Sequence, residues 1–280
     1  MLGSFNKAAS TIASIYILGL LVLPFAQETK GSRYPNNHSR LDQRAAVKKP
    51  VNVTPRIVPL AEQGLTVEFG ESIDLRTNEL VLSFAAAVER ATIPGVREVV
   101  PTYRSATIYF NPLLVDRASL TERVHALLTE TMPAPPRPPA IHRIPVFYGG
   151  DAGPDLINVA ERASLACAEV IALHASVIYR VYMLGFSPGF PYLGTVPDRI
   201  ATPRLSTPRK LVAAGSVGIA GAQTGIYPQT NPGGWRIIGR TPVPLFAVTR
   251  PQPFLLAPGD LVQFVPIDEE EFRDLMADSL

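Results

Sequence analysis

Cysteine is almost missing from this chain: Cys167 stands alone among 280 residues. That excludes an internal disulfide and a thiolate zinc cage, and it fits a reducing compartment. Histidine occurs four times, and no H-E-x-x-H pair or Cys/His ligand set is spelled out, so no metal site is expected. There is no Walker A sequence either, so any handling of ATP does not run through a P-loop of this chain. Excess charge of one sign is lacking too, with 26 Lys and Arg against 24 Asp and Glu. A net charge of +2 points to no nucleic acid and to no acidic surface.

What is present suffices for packed cores, with 46% hydrophobic and 18% charged residues. The length has room for two ordinary domains, or for one large β-rich domain with additions. Residues 1–54 read as a hydrophobic leader and a polar linker. The uncharged run Ala8 to Ala26 resembles a signal-peptide core or a short membrane anchor. A third reading makes Met1 a start upstream of the functional one, leaving a cytoplasmic core. Asn37-His38-Ser39 and Asn52-Val53-Thr54 match the glycosylation sequon, a three-residue pattern common enough by chance to be set aside.

From Pro55 the pattern changes. Arg56 to Leu60 and Leu65 to Phe69 alternate as short strands, and Leu75 to Ala91 carries apolar residues at helical spacing. Val96 to Pro101 and Ala106 to Phe110 read as strands, and Ser119 is expected to cap a second helix through Leu128. With a further strand from Arg143 to Tyr148, this order suggests an α+β chain whose residues 55–132 form a ferredoxin-like layer. Five prolines between Pro133 and Pro139 predict a semi-rigid linker over 133–139. Asp155 to Ala175 reads as one or two helices. Short strands and glycine-rich turns after Val177 predict a closed or nearly closed β-barrel within 140–268. Residues 269–280 form an acidic tail, with negative charge at a helix start.

The richest stretch runs from Tyr179 to Thr241. Gly185-Phe186-Ser187-Pro188-Gly189 matches the G-x-S-x-G pattern of nucleophile elbows, and the match is rejected. The residue after that serine must donate a backbone N–H to an oxyanion, and Pro188 has none. Phe186, Phe190 and Tyr192, set among glycines, suggest aromatic faces that wall a ligand or pack the barrel. Arg204 and Arg209 each follow a Thr-Pro pair, so each guanidinium sits on a stiffened backbone suited to a carboxylate or phosphate, or is a solvated surface arginine. Lys210 is a weaker candidate of the same kind. Gln223, Thr224 and Tyr227 place an amide, a hydroxyl and a phenol within five residues. The Gln223 amide suits a lactam or urea group, since it both donates and accepts. Trp235 reads as a core anchor or a pocket floor. His174, near a helix end, is a candidate proton handler or a histidine satisfied by its neighbours.

Taken together, Tyr179 to Gly194, Ala201-Thr202-Pro203-Arg204, Gly215 to Gly221, Gln223 to Pro228 and Pro232-Gly233-Gly234-Trp235 resemble the B component of bacterial ATP-dependent 5-oxoprolinase. That family also holds the sporulation kinase inhibitor and the allophanate hydrolase subunit 1 type domain, and the resemblance spans about Arg56 to Pro266. It implies a ferredoxin-like domain followed by a cyclophilin-like barrel. It also implies two partners, a companion C component of the allophanate hydrolase subunit 2 type and a separate A component. It implies ATP as co-substrate of the complex, and a 5-oxoproline ring opened to glutamate. By the same resemblance Phe186, Phe190, Tyr192 and Tyr227 would wall a lactam held by Arg204, Arg209, Gln223 and Thr224 in a hollow on the barrel's concave side. His174 and Gln223 would serve catalysis. The other activities the family implies are histidine-kinase inhibition and a part in a urea-type carboxyltransferase or allophanate hydrolase. Ser164 departs from the pattern, standing where many relatives have glycine.

Overall fold

Alternating apolar side chains build the first layer. Leu65 and Val67 of β2 (Gly64–Glu68) and Ala106, Ile108 and Phe110 of β4 (Ser105–Phe110) are buried on one face of a four-stranded sheet, as the period of two requires. They pack against Val81, Phe84 and Val88 of α1 (Leu75–Arg90) and Leu120 and Val124 of α2 (Arg117–Thr129). β1 (Arg56–Leu60) and β3 (Val96–Pro101) complete the sheet in the order β1-β2-β4-β3, antiparallel throughout. The computed structural model describes residues 54–129 and 138–278. The leader, the first sequon, Asn52 and Val53 of the second, and most of the proline-rich linker lie outside them.

The caps differ in one place from the sequence reading. Asp74 caps α1 by accepting from the Thr77 backbone N–H at 2.9 Å. At α2 the cap is Asp116, which accepts from the Ser119 N–H at 2.9 Å, and Ser119 lies inside the helix. A carboxylate at this position satisfies an orphan amide and complements the helix dipole.

The strand expected over Arg143 to Tyr148 exists as β5 (Ile141–Tyr148), but it belongs to the second layer. β5 pairs in parallel with β13 (Leu261–Ile267) and antiparallel with β12 (Arg236–Arg240). With β6 (Ile178–Leu184), β7 (Pro191–Gly194), β9 (Ser216–Ala220) and β10 (Gln223–Ile226), these strands close a barrel in the order β10-β7-β6-β13-β5-β12-β9. Closure leaves no free edge. A separate ribbon of β8 (Arg209–Val212) and β11 (Asn231–Gly233) stands beside it. The stretch Asp155 to Ala175 forms α3 (Leu156–Ala163) and α4 (Cys167–Ala175), whose Leu156, Val159, Ala160 and Val170 are buried. The acidic tail forms α5 (Glu269–Asp278), where Asp268 accepts from the Glu271 N–H at 2.9 Å. No helix among the described residues is long and apolar enough to cross a membrane.

Ser164 closes α3 with φ 54° and ψ 49°, the left-handed conformation in which a Cβ is strained by about 1 kcal/mol. Its N–H still closes the last turn on Glu161. Ser164→Gly is therefore expected to raise stability by about 0.5–1 kcal/mol, read as a higher urea midpoint with an unchanged m-value.

Candidate functional site

Along β6, β7, β9 and β10, one set of side chains points into the barrel and the other points out. Inward go Tyr179, Val181, Leu193, Val217, Ile219 and Ile226, all buried in a single core with Val146 and Phe264. That interior is packed rather than hollow. Thr224 also points inward, and its hydroxyl donates to the Gly218 carbonyl at 3.0 Å. Having given its hydrogen there, it accepts from His174 Nε2 at 2.9 Å. His174 Nδ1 is then the acceptor for the Tyr148 hydroxyl at 2.8 Å. His174 is fully buried and stacks on Phe264 at 4.6 Å. Burial holds its pKa down at about 3. An imidazole that is neutral, enclosed and occupied at both nitrogens has no proton to exchange with a ligand outside the barrel. His174, expected as a proton handler, and Thr224, expected to contact substrate, thus lie inside the barrel bonded to each other.

The outward set makes the aromatic cluster. Phe190, Tyr227 and Trp235 are buried together with Val212, Ala220 and Ile237. The Phe190 ring lies edge-on to Tyr192 at 5.0 Å, Tyr227 at 5.2 Å and Trp235 at 5.3 Å. Edge-to-face packing of this kind adds about 0.5–1.5 kcal/mol per pair beyond area burial. Two glycines make room for it. A Cβ on Gly225 would meet Phe190 and Trp235 at 3.0 Å, and one on Gly233 would overlap the Tyr227 hydroxyl. Phe186, at φ 65°, closes the outer side and is 36% exposed, edge-on to Phe190 at 5.4 Å and to Tyr227 at 6.2 Å. Burial raises the phenols of Tyr192 and Tyr227, the latter to about 12, so both stay protonated at neutral pH. The Ser187 hydroxyl is buried without a partner, so it is not presented as a nucleophile.

The two arginines separate. Arg209 donates to the Asp155 carboxylate at 2.8 Å and to the Trp235 carbonyl at 3.4 Å, and the other Asp155 oxygen accepts from the Ile237 N–H at 2.6 Å. Its charge is spent inside the fold, joining α3, β8 and β12. Arg204 is exposed, with its guanidinium 5.8 Å over the Trp235 ring, a cation–π arrangement. It makes no ion pair among the described residues. Lys210, also exposed, lies on β8 next to Arg209.

Gln223 is half-buried at the start of β10, where its amide nitrogen donates to the Tyr103 hydroxyl. Tyr103 comes from the turn between β3 and β4 in the first layer, and its ring packs on Tyr182 at 5.4 Å and Tyr192 at 5.9 Å. Burial pushes its phenol well above the ordinary range. Sequence reasoning missed Tyr103, since a lone tyrosine in a short turn gives no periodic or motif signal. Phe190, Arg204, Gln223 and Tyr227 are linked through Trp235, Tyr192 and Tyr103 on the outer wall of the barrel. A cavity of about 390 Å³ opens beside them, lined by Arg162, Arg199, Thr202 and Pro203.

The model of one family, the carboxyltransferase domain, subdomain C and D, matches residues 55–256. The chain belongs to this family. It is 41% identical over 233 residues to the 5-oxoprolinase B component of Bacillus subtilis (strain 168), covering 80% of this chain and 97% of that protein. It is 41% identical over 211 residues to the 5-oxoprolinase B component of Escherichia coli O157:H7, covering 75% and 95%. The crystal structure of TTHA0988 superposes with TM-score 0.66 at 38% identity, covering 74% of this chain and 40% of that one, so this chain spans less than half of that protein. The urea carboxylase of Kluyveromyces lactis shares the fold, with TM-score 0.67 at 21% identity over 83% of this chain and 23% of that one.

Two outcomes follow from these environments. Arg209→Met leaves Asp155 without its counter-ion and is expected to destabilise the chain by about 2–3 kcal/mol, whereas Arg204→Met should leave the urea midpoint nearly unchanged. His174, neutral in the fold and with an ordinary pKa of 6.5 when unfolded, contributes stability that is complete above about pH 6.5 and lost as pH falls toward 3. The fall in melting temperature between pH 7 and pH 4 should therefore be shallower in His174→Gln than in the parent. Comparing the two chains cancels the opposite effect of Glu98, whose carboxyl burial raises to about 6.

Proposed function

We propose that the chain is the B component of an ATP-dependent 5-oxoprolinase complex that opens 5-oxo-L-proline to L-glutamate, with the A and C components as its partners. The observation that carries this reading is the match across 97% of a relative that bears the name of that component. The amino-terminal layer, 55–132, is read as ferredoxin-like, with β1 at the sheet edge where the fourth strand of that fold would lie. Residues 140–268 are read as a cyclophilin-like barrel.

The residues assigned to substrate are those at the margin of the aromatic cluster, Gln223 among them although its amide nitrogen also bonds Tyr103. Arg204 would hold the carboxylate of 5-oxoproline, and the Gln223 amide would meet the lactam. Phe186 and Tyr192 would border the ring, while Phe190, Tyr227 and Trp235 support them from beneath. The margin of the cluster faces outward from the barrel, and on this reading the C component would supply a second surface to complete the site. A ring stack, one amide and one exposed guanidinium suit a small amide monocarboxylate and do not fit a polyphosphate chain. ATP is therefore assigned to the complex, and no step of its hydrolysis is placed on this chain. The chemical need for ATP is clear, because a lactam carbonyl is a poor electrophile and its oxygen must be activated before water can open the ring.

The purified chain mixed with the A and C components is expected to release ADP in a 5-oxoproline-dependent manner, with glutamate formed alongside. In that mixture Arg204→Met should raise the KM for 5-oxoproline about 10- to 100-fold, the loss of a charge-assisted hydrogen bond, with kcat less affected. Equal ADP release with and without 5-oxoproline would overturn the assignment.

A further inference from the structure

Away from the aromatic cluster, a cavity of about 400 Å³ separates the two layers. Leu82 and Ala86 of α1, Pro101 at the end of β3 and Pro258 before β13 give it apolar walls. Arg180 of β6 lines it as well, directed away from the barrel core in which Tyr179 and Val181 are buried. The Arg180 Nε is buried without a hydrogen-bond partner, and Arg180 makes no ion pair among the described residues. Arg180 is half-buried, and a buried guanidinium nitrogen without an acceptor is costly to leave unsatisfied. Asp260, which also lines the cavity, is engaged elsewhere: it accepts from the Ala257 N–H at 2.9 Å and the Ala140 N–H at 3.2 Å and faces His142 at 3.3 Å. Glu79 and Glu89 stand at the two ends of the α1 wall. With Leu82 and Ala86 between them, their spacing of three, four and three residues places all four on one helix face.

We propose that this cleft binds a small zwitterion of the apolar α-amino acid class. The ligand carboxylate would pair with Arg180, its ammonium with Glu79 or Glu89, and its side chain would lie against Leu82, Ala86 and Pro258. Arg180 alone suits any carboxylate, but the two glutamates repel a simple anion and attract a group that also carries a positive charge. The volume accommodates such a molecule, and the walls offer it little polar competition.

The test uses the full chain without companion proteins, so its result is independent of the 5-oxoprolinase reading. Isothermal titration with L-leucine, 4-methylpentanoate and 3-methylbutylamine separates the two charges. L-Leucine is expected to bind more tightly than either analogue. Arg180→Gln should weaken it at least about 10-fold, and the exposed double variant Glu79→Gln/Glu89→Gln should bring it to the level of 4-methylpentanoate. Arg180→Met, which replaces an unpaired charge by an apolar chain, should melt no lower than the parent. No heat from L-leucine up to about 10 mM, binding of the amine equal to that of L-leucine, or unchanged binding in the double variant would each overturn the proposal.

Discussion

The hydrogen-bonded chain from Tyr148 through His174 and Thr224 to the Gly218 carbonyl crosses the inside of the barrel and ties β5, α4, β10 and β9 together. A closed sheet of seven strands has an interior that only side chains fill, and a polar group placed there must find all of its partners there. His174 meets that demand with two neighbours and a stacked Phe264, and Tyr179 adds a bond from its hydroxyl to the His174 carbonyl at 2.9 Å. The barrel interior is thereby filled by side chains that satisfy one another.

On the outside of the barrel, Phe190, Tyr192, Tyr227 and Trp235 form a second small core, with Phe186, Arg204 and Gln223 at its margin. The first layer joins it directly. Asn78 of α1, itself buried, donates to the Tyr182 carbonyl at 3.1 Å and to the Thr102 carbonyl at 3.1 Å, and Tyr103 sits against Tyr182 and Tyr192. The two layers thus meet through a buried amide and a ring stack, and the same contact brings a first-layer phenol to the Gln223 amide.

Much of this was legible beforehand for physical reasons. Period-two alternation marked β2 and β4, helical spacing marked α1, and glycine-rich turns between short strands marked a barrel. The aromatic residues of the Gly185–Gly194 stretch do gather with Tyr227 and Trp235. Partnership was not legible. Nothing in the chain shows that Arg209 is neutralised by an aspartate 54 residues away while Arg204 is not, since the two arginines have the same Thr-Pro context. Nor does the alternation of β10 say which of Gln223 and Thr224 points outward, because both are polar and the usual inside-outside signal is silent.

The amino-acid sequence by itself determined the family, the two-layer α+β plan and the exclusion of an internal disulfide, because these follow from local spacing, composition and motifs contiguous in the chain. Only the tertiary structure decided which strand belonged to which sheet, which arginine kept its charge available, and that Tyr103 sits at the edge of the aromatic cluster. Those depend on contacts between residues 50 to 120 positions apart, and such contacts leave no local trace.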